Sequence, residues 1–131
     1  MAITHYAPVD KVGARRLRDA TVAWAVLLGE LRAVGLRPYL ELESGERDDP
    51  LRLFCALGDG LQLDVSLGDE GLPDAPSTAD EVYWTAFVQA DDGYLAEVTI
   101  DESIEFDELA AKLRGLVDAV AGGERPFLEE W

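Results

Sequence analysis

Two stretches of strict alternation around one tight turn constrain this chain most. LRLFCAL at 51–57 aligns Leu51, Leu53, Cys55 and Leu57 on one side. LQLDVSL at 61–67 aligns Leu61, Leu63, Val65 and Leu67, with Gln62, Asp64 and Ser66 pointing the other way. Successive strand side chains point to opposite faces, so this pattern predicts half-buried strands. Gly58-Asp59-Gly60 between them is a hairpin signal. Two antiparallel strands with one apolar face demand a sheet, and something to cover that face.

The rest of the sheet follows the same period. YLELES at 39–44 turns Leu40 and Leu42 one way, and GERDDP at 45–50 is turn chemistry. GDEGLPDAPSTAD at 68–80 reads as a loop. EVYWTAFVQA at 81–90 sets Val82, Trp84, Ala86 and Val88 on one face and Tyr83, Thr85 and Phe87 on the other, which suits a central strand. DDG at 91–93 turns the chain into YLAEVTI at 94–100. Short connections imply antiparallel neighbours.

The flanks carry helical spacing. Asp10 is a candidate cap for a helix running to about Val34, with Gly35 as its stop. Leu17, Ala20, Trp24, Leu27, Leu28, Leu31 and Val34 form one apolar face; Val22, Val26, Gly29 and Ala33 form a second stripe. A helix apolar on two sides is covered by its own domain or by a partner. A second helix carries Phe106, Leu109, Ala110, Leu113, Leu116, Val117 and Val120, with Asp101, Ser103 and Asp107 as candidate caps and Gly122 and Gly123 as its end. In the tail ERPFLEEW, Pro126 blocks simple helix continuation. Phe127 and Trp131 are spaced i, i+4, so one helical turn presents both to the same surface. Docking on the domain is expected, with exchange between subunits as the rival. The expected fold is a single α+β domain over 1–131: an antiparallel sheet of about five strands in the order α-β-β-β-β-β-α, two helices on one face, and 124–131 as a C-terminal tail.

The 131 residues carry 27 acids against 11 bases, a formal charge of −16. That argues against nucleic-acid binding and against docking on anionic lipid, and it permits a basic protein partner. The charge is uneven. Residues 1–37 hold six basic and three acidic residues, a net of +3; the remainder holds five and 24, a net of −19. The start of the first helix is expected to meet acidic loops of the same fold; a basic patch, or acid–base contact between subunits, is the alternative. RRLR at 15–18 before ATVAWAVLLG at 20–29 has the order of a leader peptide, but Asp19 interrupts it and a core helix is expected. The lone Cys55 permits no internal disulfide and suits a reducing, cytoplasmic setting.

Chemical signatures are sparse. A Ser-His-Asp or Cys-His site requires His5, the single histidine, in the unpatterned start of the chain. Cys55 sits at an inward strand position. Cys/His metal sites lack the residues. ERDDP, GDEG and DESIEFDE miss the calcium-loop pattern, and neither GxGxxG nor GxxxxGK[ST] occurs. No catalytic, cofactor-binding or metal residue is assigned, and no cofactor is expected.

The stretch VYWTAFVQADDGYLAEVTIDESIEFDELAAKLRGLVDAV resembles the type III secretion chaperone-like fold and the YbjN-like bacterial proteins. There too, an aromatic strand passes through an acidic turn to a strand and then to an amphipathic helix opened by acids. The family places a helix between its third and fourth strands, where this chain carries the Pro73 and Pro76 loop. The resemblance implies a non-catalytic protein-binding protein, often a dimer. The first reading is therefore a cytoplasmic protein-binding module, chaperone-like or regulatory, with Val22, Trp24, Val26, Phe127 and Trp131 as candidate interface residues and a homodimer among its possible forms. The second is an acidic inhibitor or immunity-type protein contacting a basic surface through Asp69, Glu70, Asp74, Asp91 and Asp92. The third is a ligand carrier or enzyme with a pocket between sheet and helices.

Overall fold

The computed structural model describes residues 11–42, 50–68, 71–76, 83–101 and 103–131. His5, the Asp10 cap, the turn at 45–49, Asp69, Glu70 and Val82 lie outside them. The elements are α1 (Lys11–Ala23), α2 (Ala25–Ala33), β1 (Pro38–Leu42), β2 (Leu51–Gly58), β3 (Leu61–Leu67), β4 (Trp84–Ala90), β5 (Gly93–Ile100), α3 (Phe106–Ala121) and β6 (Phe127–Glu130).

The sheet runs β1-β2-β3-β4-β5-β6 in spatial order. Its first five strands form an antiparallel meander, and β6 lies parallel to β5. The α+β class is as expected, but the sheet is mixed and six-stranded, and three helices accompany it instead of two. The β2–β3 hairpin forms where the alternation places it. Gly58 pairs with Leu61 across Asp59 and Gly60, whose φ values of 53° and 75° suit a two-residue primed turn.

Leu53, Cys55, Leu63, Val65, Ala86, Val88, Ala96 and Val98 are fully buried on one face of the sheet. Leu27, Leu28, Leu31, Leu109, Leu113 and Leu116 meet them from the helices in one core. Each fully buried leucine contributes about 2 kcal/mol of transfer free energy. Gln62, Asp64 and Ser66 point away from this core, yet Asp64 is only 8% exposed and Ser66 only 6%. Asp64 pairs with Phe54 on one side and Phe87 on the other, and these large neighbours shelter it.

The expected single helix breaks at Trp24, whose φ of −97° and ψ of 13° leave the helical range. Hydrogen bonds still reach across the joint, from Trp24 N–H to Ala20 O at 2.9 Å and from Leu28 N–H to Trp24 O at 3.0 Å. A buried indole needs an acceptor. Trp24 Nε1 donates to Pro73 O at 2.9 Å, so the break falls at the residue that reaches for the loop. Gly35 ends α2 as expected: its N–H donates to Arg32 O and Leu36 N–H donates to Leu31 O, each at 3.0 Å, a Schellman closure.

The tail is a strand, not a turn of helix. Gly123 N–H to Val120 O at 3.0 Å and Glu124 N–H to Ala119 O at 2.9 Å close α3. Buried Pro126 cannot donate, but its carbonyl accepts from Glu97 N–H at 3.0 Å, and Trp131 N–H donates to Thr99 O at 2.7 Å. The edge of β5 thereby gains a partner. A break in the alternation, where Leu128 takes a φ of 56° and the β5–β6 register shifts between Glu97 and Val98, then separates the two aromatics expected on one surface. Phe127 pairs with Glu97 and stays 58% exposed, whereas Trp131 packs on the core beside Gly115.

Candidate functional site

Two surfaces carry side chains that the core does not absorb. The first is the sheet face away from the helices. The pairings run Tyr39↔Phe54, Phe54↔Asp64, Asp64↔Phe87, Phe87↔Glu97 and Glu97↔Phe127. Paired residues share a face, so one row crosses all six strands with its acids set among aromatics. Tyr39 and Phe54 rings lie 5.6 Å apart, and Phe87 and Tyr94 rings 5.1 Å apart. Tyr39 Oη lies 3.4 Å from Gln62 Oε1.

Asp64 has one partner among the described residues, the Arg52 guanidinium with Nη1 at 3.8 Å from Oδ2. Burial raises the carboxyl pKa above its usual range, and Arg52 offsets part of that rise. The Tyr39 hydroxyl is also raised, by burial first and then by Glu41, Cys55 and Asp64. Thr85 lies in the adjacent row, between Ser66 and Thr99; its Oγ1 is buried without a hydrogen-bond partner among the described residues.

The second surface is the outer side of α1 and α2. Val22 is 72% exposed and Val26 68%, one helical turn apart. Ala25, Gly29 and Ala33 continue the exposed stripe. A shallow groove of about 420 Å³ runs beside it, lined by Ala14, Leu17, Arg18, Thr21 and Val22. Trp24, grouped with these valines on sequence grounds, is instead 1% exposed in the core, because its indole turns inward to Pro73, Trp84 and Phe106.

Among the described residues, Asp74 lies apart from Asp91 and Asp92. Asp74 is held by Arg16, which donates from Nε at 3.0 and 3.1 Å and from Nη2 at 2.9 Å. The start of the first helix thus meets an acidic loop of its own fold. Asp91 and Asp92 are exposed at the opposite end of the sheet, where Asp91 approaches Gly60. Asp69 and Glu70 lie outside the described residues.

Among the described residues no group of three His, Cys, Asp or Glu side chains is placed to hold a metal ion. Cys55 is buried, and desolvation pushes its thiol pKa up to about 12, away from nucleophilic use. No described helix is long and apolar enough to cross a membrane. Architecture and site together define an α+β protein with a helix-covered sheet whose second face carries an aromatic and acidic row. The chain matches no family model, no curated protein and no solved structure.

The aromatic and acidic row escaped the sequence reading. Alternation sends Asp64 and Phe87 away from the core, but their alignment depends on register between strands, which one strand does not encode.

Proposed function

We propose that this chain is a non-enzymatic protein-binding module, chaperone-like or regulatory, that docks a partner protein along the outer stripe of α1 and α2. One observation carries the reading: Val22 and Val26 stand 72% and 68% exposed beside an apolar groove. Contiguous exposed apolar side chains mark interaction surfaces. Burying each valine contributes about 1.5 kcal/mol to association. The resemblance to the secretion chaperone-like and YbjN-like proteins supports the same reading, and a cytoplasmic setting, in which Cys55 stays reduced, is part of the proposal.

The test is a Val22→Glu/Val26→Glu double variant compared with the wild type in sedimentation equilibrium and in partner capture from host lysate. Both positions are exposed, so thermal unfolding is expected to stay near wild type. Loss of self-association, or of a captured protein, supports the reading. A variant that keeps the wild-type assembly and the wild-type captured set sinks it.

A further inference from the structure

We propose that the second face of the sheet docks an arginine-bearing segment of a partner protein, with a guanidinium seated on Glu97 between Phe87 and Phe127. Register places Phe87 and Phe127 directly across from Glu97 on the two neighbouring strands. In the antiparallel pair Phe87 and Glu97, Cβ atoms lie about 5 Å apart. Tyr94 extends the wall, its ring 5.1 Å from that of Phe87. Tyr94 and Phe127 are 61% and 58% exposed, so this end of the row is open to a visitor.

The chemistry selects the visitor. A carboxylate among aromatic rings attracts a cation, through charge and through the ring faces. Arginine suits it better than lysine, because its flat guanidinium stacks on rings and is weakly hydrated. The same row holds an internal precedent. Asp64 sits between Phe54 and Phe87, and the chain itself supplies Arg52 beside it. Among the described residues Glu97 has no basic partner of this kind. Residues 38–131 carry five basic and 24 acidic residues, a net of −19, so the field around this face favours a basic partner. This face is separate from the α1–α2 stripe, and the proposal stands without it.

The experiment is fluorescence anisotropy of a labelled arginine–glycine repeat peptide with the full chain at physiological salt. Matched lysine and citrulline peptides serve as comparisons. Glu97→Gln and Phe127→Ala are each expected to weaken arginine-peptide binding by about tenfold or more. Glu108→Gln, which removes the same charge from α3, is expected to stay within about twofold. The lysine peptide is expected to bind more weakly, and the citrulline peptide not at all. Equal losses in Glu97→Gln and Glu108→Gln reduce the effect to net charge and overturn the proposal. So do an unaffected Phe127→Ala, equal affinity for the lysine peptide, and absence of binding. Thermal unfolding of each variant confirms that the fold persists.

Discussion

Trp24 and Trp84 meet edge to face, with ring centroids 6.1 Å apart and planes 75° apart. Their indole N–H groups fare differently. Trp24 donates to Pro73 O, whereas Trp84 Nε1 is buried without a partner among the described residues. Trp24→Phe is therefore expected to cost more stability than Trp84→Phe, by about 1–2 kcal/mol, because the first strands the Pro73 carbonyl and the second removes an unsatisfied donor. Urea unfolding of both variants measures the difference; equal losses rule out a role for the hydrogen bond.

Gly71 and Gly29 are expected to respond oppositely to alanine. A Cβ on Gly71, where φ is 98°, meets Leu51 O at the point where Leu72 N–H also donates to that oxygen. Backbone has nowhere to yield, so Gly71→Ala is expected to destabilise by about 2–4 kcal/mol. Gly29 lies in α2 with nothing within 4 Å of an added Cβ, and Gly29→Ala is expected to stabilise by about 0.5–1 kcal/mol. Chemical unfolding curves for the pair check both signs.

Removing 125–131 deletes β6 and with it the Trp131 contact on α3. Lys112 Nζ also loses Trp131 O, now at 2.9 Å. A loss of about 2–4 kcal/mol is expected, with Trp131→Ala alone giving roughly half of it. A truncated chain as stable as wild type contradicts the docked strand.

Asp64 sets a pH dependence of known sign. Its folded pKa is raised, so the ionised form is costlier in the fold than in the unfolded chain. Its contribution is unfavourable above the folded pKa and fades as pH falls toward the ordinary carboxylate value. Asp64→Asn is expected to stabilise at neutral pH and to lose that advantage on acidification, read from thermal unfolding across pH. Asp101 runs the other way. The Ser103 N–H and hydroxyl hold its pKa low, so its contribution is lost as pH falls through that lowered value.

The alternation of Leu53 and Cys55 against Leu63 and Val65 made the central hairpin legible, and all four are fully buried. Gly35 and Gly122-Gly123 marked helix ends because a Schellman closure leaves a local trace. Strand β6 left none. FLEE is too short to show a period, and its pairing depends on the free edge of β5. The break at Trp24 was equally hidden, since the acceptor that draws the indole lies 49 residues away. On the α1–α2 stripe, Val22 and Val26 were legible as surplus apolar residues, whereas Trp24 shared their neighbourhood in sequence but not their direction in space.

The meander has a kinetic consequence. Strands β1 to β5 each pair with the next in sequence, so the longest loop closed among them is the connection over 68–83, and closure entropy grows only slowly with loop length. The distant closures are those that bring Trp24 to Pro73 and α2 to α3. The sheet is then expected to form ahead of helix docking, with the docking of Trp24 late on the folding path. Trp24→Phe should accelerate unfolding and leave the folding rate nearly unchanged, a signature that stopped-flow kinetics separates from an early role.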